Sequence, residues 1–421
     1  MKLALATIGL LVLWTAIVGV GALEGWWHGS LAPAGDTDAM LAALVTEIEN
    51  DAKGNVALAI LEDGSVRGEH TFSVGEPVDR DSVFQVASLS KWVTAWGVMA
   101  LVEAGRLDLD APVARVLSRW SLPPSEFDND AVTVRRLLSH TAGLTDGLGY
   151  AGFEPGAPVQ TLEDSLTRAA DPSPGASGAV RVGRPPGERF EYSGGGYTLL
   201  QLLVEEASGE PFEAFMQRTV FEPLGMRHTT FLWDESRGTR LATIYDVDST
   251  PATHYRFTAL AAASLYTSVS DLTTFMQAHL PGKEGERIGR GVLEPETLEQ
   301  MREPQASQFG AEIWGLGTIL HARAPGGGWV IGHDGNNAPA INTAVRLDPE
   351  TGDGIVILET GNRLLATRLA DEWLYWNTGN PGLLTFLIEL PSTFRAVAGG
   401  WLAILLSAGL VAWQRRRARS D

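Results

Sequence analysis

The chain has 421 residues, 44% of them apolar, which is enough for a sizeable core and excludes a disordered protein. Its 51 acidic against 32 basic side chains give a formal charge of -19, which repels phosphate backbones and excludes a nucleic-acid partner. Cysteine is absent, and with it any disulfide, thiolate nucleophile or cysteine-ligated zinc.

In chain order, the first signal is an uncharged run from Leu3 to Leu23, set between Lys2 and the group Glu24, Trp26 and Trp27. It makes residues 1–27 either a cleaved signal peptide, with Gly19, Gly21 and Ala22 near a cut, or an uncleaved anchor. Asn55 to Val74 reads as two strands around Glu62-Asp63-Gly64-Ser65, a hairpin with Asp-Gly at its turn. Ser82 to Val86 is strand-like. Ser88 to Ala104 then switches to helical spacing through Trp92, Val93, Trp96, Met99 and Val102, and Gly105 stops it. Residues from about 114 to 240 read as a mainly helical insertion, broken by Pro- and Gly-rich loops such as Asp171 to Gly178. Trp329 to Ile331, Ala340 to Leu347 and Gly354 to Glu359 read as strands, and Asn362 to Trp376 as a closing amphipathic helix.

Residues 379–395, with Pro381 and Pro391, read as a linker. Ala396 to Trp413 is uncharged and long enough to span hydrocarbon. The tail 414–421 carries Arg415, Arg416, Arg417 and Arg419 and should stay in the cytoplasm. That topology puts a domain of residues 41–378 outside the cytoplasm, periplasmic or extracellular, held to the membrane by the C-terminal helix and, where it is kept, the N-terminal one. Neither apolar run carries an ionisable residue for a transport path, so both read as anchors.

Ser88-Leu89-Ser90-Lys91 puts a hydroxyl and an amine one turn apart on one face of a helix start. A serine hydroxyl needs a base before it attacks. Arginine cannot be that base, whereas a lysine can where its surroundings favour the neutral amine. The chain has only four lysines, Lys2, Lys53, Lys91 and Lys283, among its 32 basic side chains, and Lys91 alone lies in an apolar helix. By itself such a pair also fits a serine that caps the helix and a lysine that reaches to water.

The order of further motifs decides between these. Phe84 to Lys91 is followed by Leu107-Asp108-Leu109-Asp110-Ala111-Pro112-Val113, Leu137-Leu138-Ser139-His140-Thr141-Ala142-Gly143-Leu144, Pro186-Gly187-Glu188-Arg189-Phe190-Glu191-Tyr192-Ser193 and Pro223-Leu224-Gly225-Met226. Trp314-Gly315-Leu316-Gly317 and Gly332-His333-Asp334-Gly335 close the set. From about Asn55 to Trp376 the chain resembles the serine β-lactamase and penicillin-binding-protein-like superfamily, in the branch of class C β-lactamases, D-alanyl carboxypeptidases, D-aminopeptidases and related esterases.

The resemblance implies Ser88 as nucleophile and Lys91 as general base. Tyr192 stands in the place of the tyrosine of a Y-x-N motif, as a second base and proton shuttle. Gly194 stands where that motif has Asn, so the side-chain amide that helps hold a substrate amide is missing, which weakens β-lactam and D-peptide recognition more than ester hydrolysis. His333, Asp334 and Gly335 take the place of a K-T-G motif as substrate-binding residues. A neutral imidazole at 333 attracts a carboxylate less than a lysine would. The resemblance also implies an oxyanion hole from the backbone N–H groups of Ser88 and Asn336. His140 invites a Ser-His triad with Ser139, but in the family its segment is structural. The sequence shows no metal-ligand spacing and no nucleotide loop, and the resemblance implies that no cofactor is needed.

The expected fold is α/β (α+β), a β-lactamase/transpeptidase-like antiparallel sheet flanked by helices, with the insertion forming one wall of the cleft. The expected function is a serine hydrolase that forms an acyl-enzyme on Ser88 with an ester or amide, from a small-molecule or peptide acyl substrate, without metal or cofactor. The alternative is a catalytically silent, membrane-anchored binding protein of the same fold. The sequence leaves the oligomeric state open.

Overall fold

Asp63 and Gly64 both take positive φ, 48° and 69°, the geometry of a two-residue hairpin turn. They fold Val56–Glu62 (β1) onto Ser65–Phe72 (β2), with Glu62 opposite Ser65. In this computed structural model, residues 2–418 are described apart from 148, 235–237 and 239, and for 383–389 only the backbone is considered. Arg419 of the basic tail lies outside the described residues.

Phe84–Gln85 (β3) pairs with Tyr266–Thr267 (β4) as a separate short ribbon. Ala306–Gln308 (β5), Ala311–Trp314 (β6), Ile319–Arg323 (β7), Trp329–Asn337 (β8), Ile341–Leu347 (β9) and Gly354–Thr360 (β10) complete the main sheet. Its order is β2-β1-β10-β9-β8-β7-β6-β5, antiparallel at every pair. The first hairpin thus pairs with β10, the last strand, as the continuous apolar runs Val56–Leu61 and Gly354–Leu358 require of strands covered on both faces.

Side chains alternate between the two faces. Ala57, Ala59, Val345, Val356 and Leu358 share the main core with Trp92, Trp96, Phe275 and Met276. The opposite face is covered by Met40, Leu44 and Ile48 of the helix Thr37–Asp51. The helix Leu365–Thr378 is tied to the same face through Thr367, whose N–H donates to Asn342 Oδ1 at 2.9 Å.

Between about 114 and 240 the chain is less helical than its composition suggests. Val134–Leu138, Leu162–Arg168 and Gly194–Ser208 are separated by long loops, short helical turns from Phe212 to Leu224 follow the last, and further helices, Val269–Gln277 and Pro295–Arg302, come after the expected boundary. Residues 379–395 also depart from expectation. Leu383–Arg417 is one helix with Pro391 inside it, because a proline removes a single ladder bond and a long apolar helix absorbs that loss.

The chain divides into two compact units, one of residues 36–370 and one of residues 1–35 with 371–421. The second contains the helices Lys2–Leu23 and Leu383–Arg417, of which Lys2–Leu23 and the stretch Leu390–Arg417 are long and apolar enough to cross a membrane.

Candidate active site

The chain leaves β3 through Ala87, whose φ of 48° is left-handed and uncommon for a residue with a Cβ. Such a conformation costs about 1–3 kcal/mol and survives only where its surroundings fix it. Here Ser90 Oγ donates to Ala87 O at 2.5 Å and accepts from Leu265 N–H at 2.9 Å. The sharp turn Ala87–Leu89 lifts Ser88 out of the buried core, and the helix Ser90–Glu103 follows at once.

Lys91 lies on the first turn of that helix and is 1% exposed. Its Nζ donates to Ser88 Oγ at 3.1 Å and to Ala262 O at 2.7 Å. Neither partner is a carboxylate. The rings of Tyr192 and Tyr197 stand beside the amine, with centroids 5.0 and 5.6 Å from Nζ.

Tyr192 is half-buried and reaches the site with its ring over Lys91. Among the described residues its hydroxyl has no protein hydrogen-bond partner, Ser88 Oγ included. The ring is held from behind by His140, stacked at 4.3 Å, and by the edge of Trp314 at 5.8 Å. Burial first, then the charge of Lys91 and the nearby His333, hold the His140 imidazole well below its ordinary pKa. Its Nδ1 accepts Ser193 N–H at 3.2 Å, so the ring proton sits on Nε2. His140 therefore orients Tyr192 and has no hydrogen bond to a nucleophile.

The third motif lies on β8, where strand pairing has a gap. β7 pairs with β8 from Trp329 only as far as Gly332, while β9 continues to Asn337. The segment 333–337 thus has a strand partner on one side only. Gly335 is needed here, because a Cβ would lie 2.0 Å from Val86 O. Thr343 Oγ1 donates to the same carbonyl at 3.1 Å, so β8 and β9 both abut the turn that carries Ser88.

Alternation along β8 splits the four predicted residues. His333 and Gly335 face the Ser88 turn. Asp334 and Asn336 point to the other side, where Asp334 forms a forked ion pair with Arg346 at 2.6 and 3.2 Å and Asn336 Nδ2 donates to Arg363 O. The Asp334 carboxylate and the Asn336 side chain are thus not brought to Ser88. The His333 pKa is pushed down to about 3, by burial first and then by the charge of Lys91. It is neutral at ordinary pH.

Gly194 opens the helix Gly194–Ser208, and a Cβ there would sit 2.8 Å from Gly149 Cα. The loop around Gly149 occupies the space that an Asn side chain would need. One contributor escaped the sequence reading, and a second, Trp314, was read in a motif without a role. Asp146, 6% exposed, accepts Ser193 Oγ–H at 2.5 Å and Gly195 N–H at 2.7 Å, and so fixes the helix start that follows Tyr192. Burial raises its pKa, opposed by those two bonds. Its sequence signal is an acid two residues past Leu144, but nothing local links it to a helix 47 residues later. Trp314 touches His140, Tyr192 and His333 at once. Among the described residues no group of three His, Asp or Glu stands ready to hold a metal.

A serine raised on a strained turn, hydrogen-bonded to a buried lysine and set against an open strand edge, defines a serine hydrolase of the β-lactamase and penicillin-binding-protein fold. The chain belongs to the β-lactamase family, whose model, described as Beta-lactamase, matches residues 41–380. It is 30% identical over 323 residues to Penicillin-binding protein 4 of Amycolatopsis lactamdurans, covering 72% of this chain and 80% of that one. It is 32% identical over 168 residues to Esterase EstB of Burkholderia gladioli, covering 38% of this chain and 41% of the esterase. The octameric penicillin-binding protein homologue from Pyrococcus abyssi superposes with a TM-score of 0.65 at 26% identity, over 81% of this chain and 77% of that one.

Proposed function

We propose that the protein hydrolyses a neutral ester through an acyl-enzyme on Ser88, on the outer side of a membrane. With Lys91 in its neutral amine form, Ser88 Oγ attacks the carbonyl carbon while its proton passes to Lys91 Nζ, and the Tyr192 hydroxyl completes the relay to the leaving group. The backbone N–H groups of Ser88 and Asn336 receive the oxyanion, a contribution of about 3–4 kcal/mol to the transition state in comparable sites. Water then releases the acyl group by the reverse path.

The observation that carries this reading is the 3.1 Å bond from Lys91 Nζ to Ser88 Oγ, made by an amine whose remaining partner is a backbone carbonyl. The preference for esters rests on Gly194, which has no amide to hold a substrate amide, and on His333, which is neutral and holds no charge for a substrate carboxylate. The domain's place outside the cytoplasm is supported by Arg415, Arg416 and Arg417 after the last apolar helix.

The test is turnover of p-nitrophenyl esters beside labelling by a fluorophosphonate and a fluorescent penicillin, in wild type and Ser88→Ala. Ester turnover and fluorophosphonate labelling that vanish with Ser88→Ala, with weak penicillin labelling, are the expected result. Strong penicillin labelling moves the substrate to cell-wall peptides. A wild type that neither turns over nor labels is a silent binding protein.

A further inference from the structure

The sequence leaves open whether the N-terminal apolar helix is removed as a signal peptide, and contacts within the membrane-type unit bear on this. The helices Lys2–Leu23 and Leu383–Arg417 run antiparallel and exchange hydrogen bonds in both directions. Trp14 Nε1–H donates to Ala396 O at 3.1 Å, and Trp401 Nε1–H donates to Thr15 Oγ1 at 2.9 Å. In lipid an indole N–H has no water to meet, so each of these bonds satisfies a donor that a lone helix would leave bare. Trp14 also fills a notch cut for it. A Cβ on Gly400 would lie 1.9 Å from Trp14 Nε1, so only glycine at 400 admits the ring.

Two of the three small residues near a possible cut, Gly21 and Ala22, are packed as well, while Gly19 stays open. Val18, Gly21 and Ala22 are buried on a helix that is otherwise mostly exposed. A Cβ on Gly21 would meet Trp27 at 2.8 Å, and Trp26 N–H donates to Gly21 O at 2.8 Å. The segment that follows is bound to the helix Leu365–Thr378: Tyr375 Oη donates to Gly25 O at 3.0 Å, His28 Nε2 meets Glu372 at 2.9 Å, and Trp376 Nε1–H donates to Pro33 O at 2.7 Å.

We infer that the N-terminal helix is not discarded but stays on the mature protein as the intramolecular partner of the C-terminal span, forming a two-helix anchor with both chain ends on one side. The pairing is specific to this chain's Trp14, Thr15, Gly400 and Trp401, and it stands apart from the acyl chemistry.

The full chain, expressed with its membrane, gives the test. Intact-mass measurement reads the N-terminus. Because the chain has no cysteine, a Thr7→Cys/Ser407→Cys pair treated with a short bis-maleimide reads the pairing on a silent background. These two positions line the same groove between the helices. The expected result is a mass that includes Lys2 and a cross-link within one molecule, lost when Gly400→Leu closes the notch while ester turnover continues. A mass short of the first 20 or so residues, the length of a cleaved signal, overturns the inference. So does full mass with cross-links only between molecules or none.

Discussion

In the proposed mechanism Lys91 is the base, and Lys91→Arg separates its charge from its basicity. The guanidinium keeps the positive charge but never accepts the Ser88 proton, so kcat/KM should fall by about 10²–10⁴ in protein that still folds, beyond the lower melting temperature expected from fitting the larger side chain at a site 1% exposed. Steady-state ester kinetics beside a thermal melt check this. Gly194 makes the opposite point. Restoring the family's Asn with Gly194→Asn should not bring amide recognition, because the new Cβ meets Gly149 Cα at 2.8 Å. It should instead destabilise by about 1–3 kcal/mol, read by urea unfolding, with no gain in penicillin labelling. The closeness of Ser88 and Lys91 was legible in the sequence because their spacing carries it, and Gly335 was legible only through the family's motif. The roles of Asp146 and the Ala262 carbonyl were not, since one acts across a long loop and the other through backbone alone.

At the scale of elements, the open edge of β8 places the third motif, and the back of that strand keeps it in place. Arg346, 1% exposed, holds Asp334, and Asn342 holds both the β8 backbone, through Gly335 O at 3.3 Å, and Thr367. Asp334→Ala leaves the buried guanidinium without this carboxylate and should cost about 3 kcal/mol or more, seen as a lower urea midpoint at an unchanged slope. The first hairpin, the nucleophile helix, β9, β10 and the closing helix were all readable from their periodicity. β5, β6 and β7 were not, because strands of three to five residues on a sheet's edge side carry too few alternations to register. The helix across Pro391 was read as a linker since proline usually marks a boundary, a rule that long apolar helices override.

For the whole molecule, burial of histidine sets an acid limit. His279 and His333 are held down to about 3 and His254 to about 4, in each case by burial first. Between those values and the ordinary 6.5 the unfolded chain binds protons that the folded one refuses, so stability is full above about 6.5 and falls as pH drops through the window. Each imidazole lowers the folding equilibrium by roughly tenfold per pH unit there. Buried carboxyls such as Glu359, raised by burial, act with the opposite sign, so the comparison is made within one background. His279→Gln should flatten the dependence of stability on pH from about 4 to 6.5 by one proton, measured by urea unfolding across that range. The central claim, an acyl-enzyme on Ser88, is met most directly by acid-quenching the protein during ester turnover and mapping the adduct by peptide mass spectrometry. A single acyl group on Ser88, absent from Ser88→Ala, is predicted. An adduct on Ser90, Ser139 or any other residue, or turnover that persists in Ser88→Ala, would contradict it.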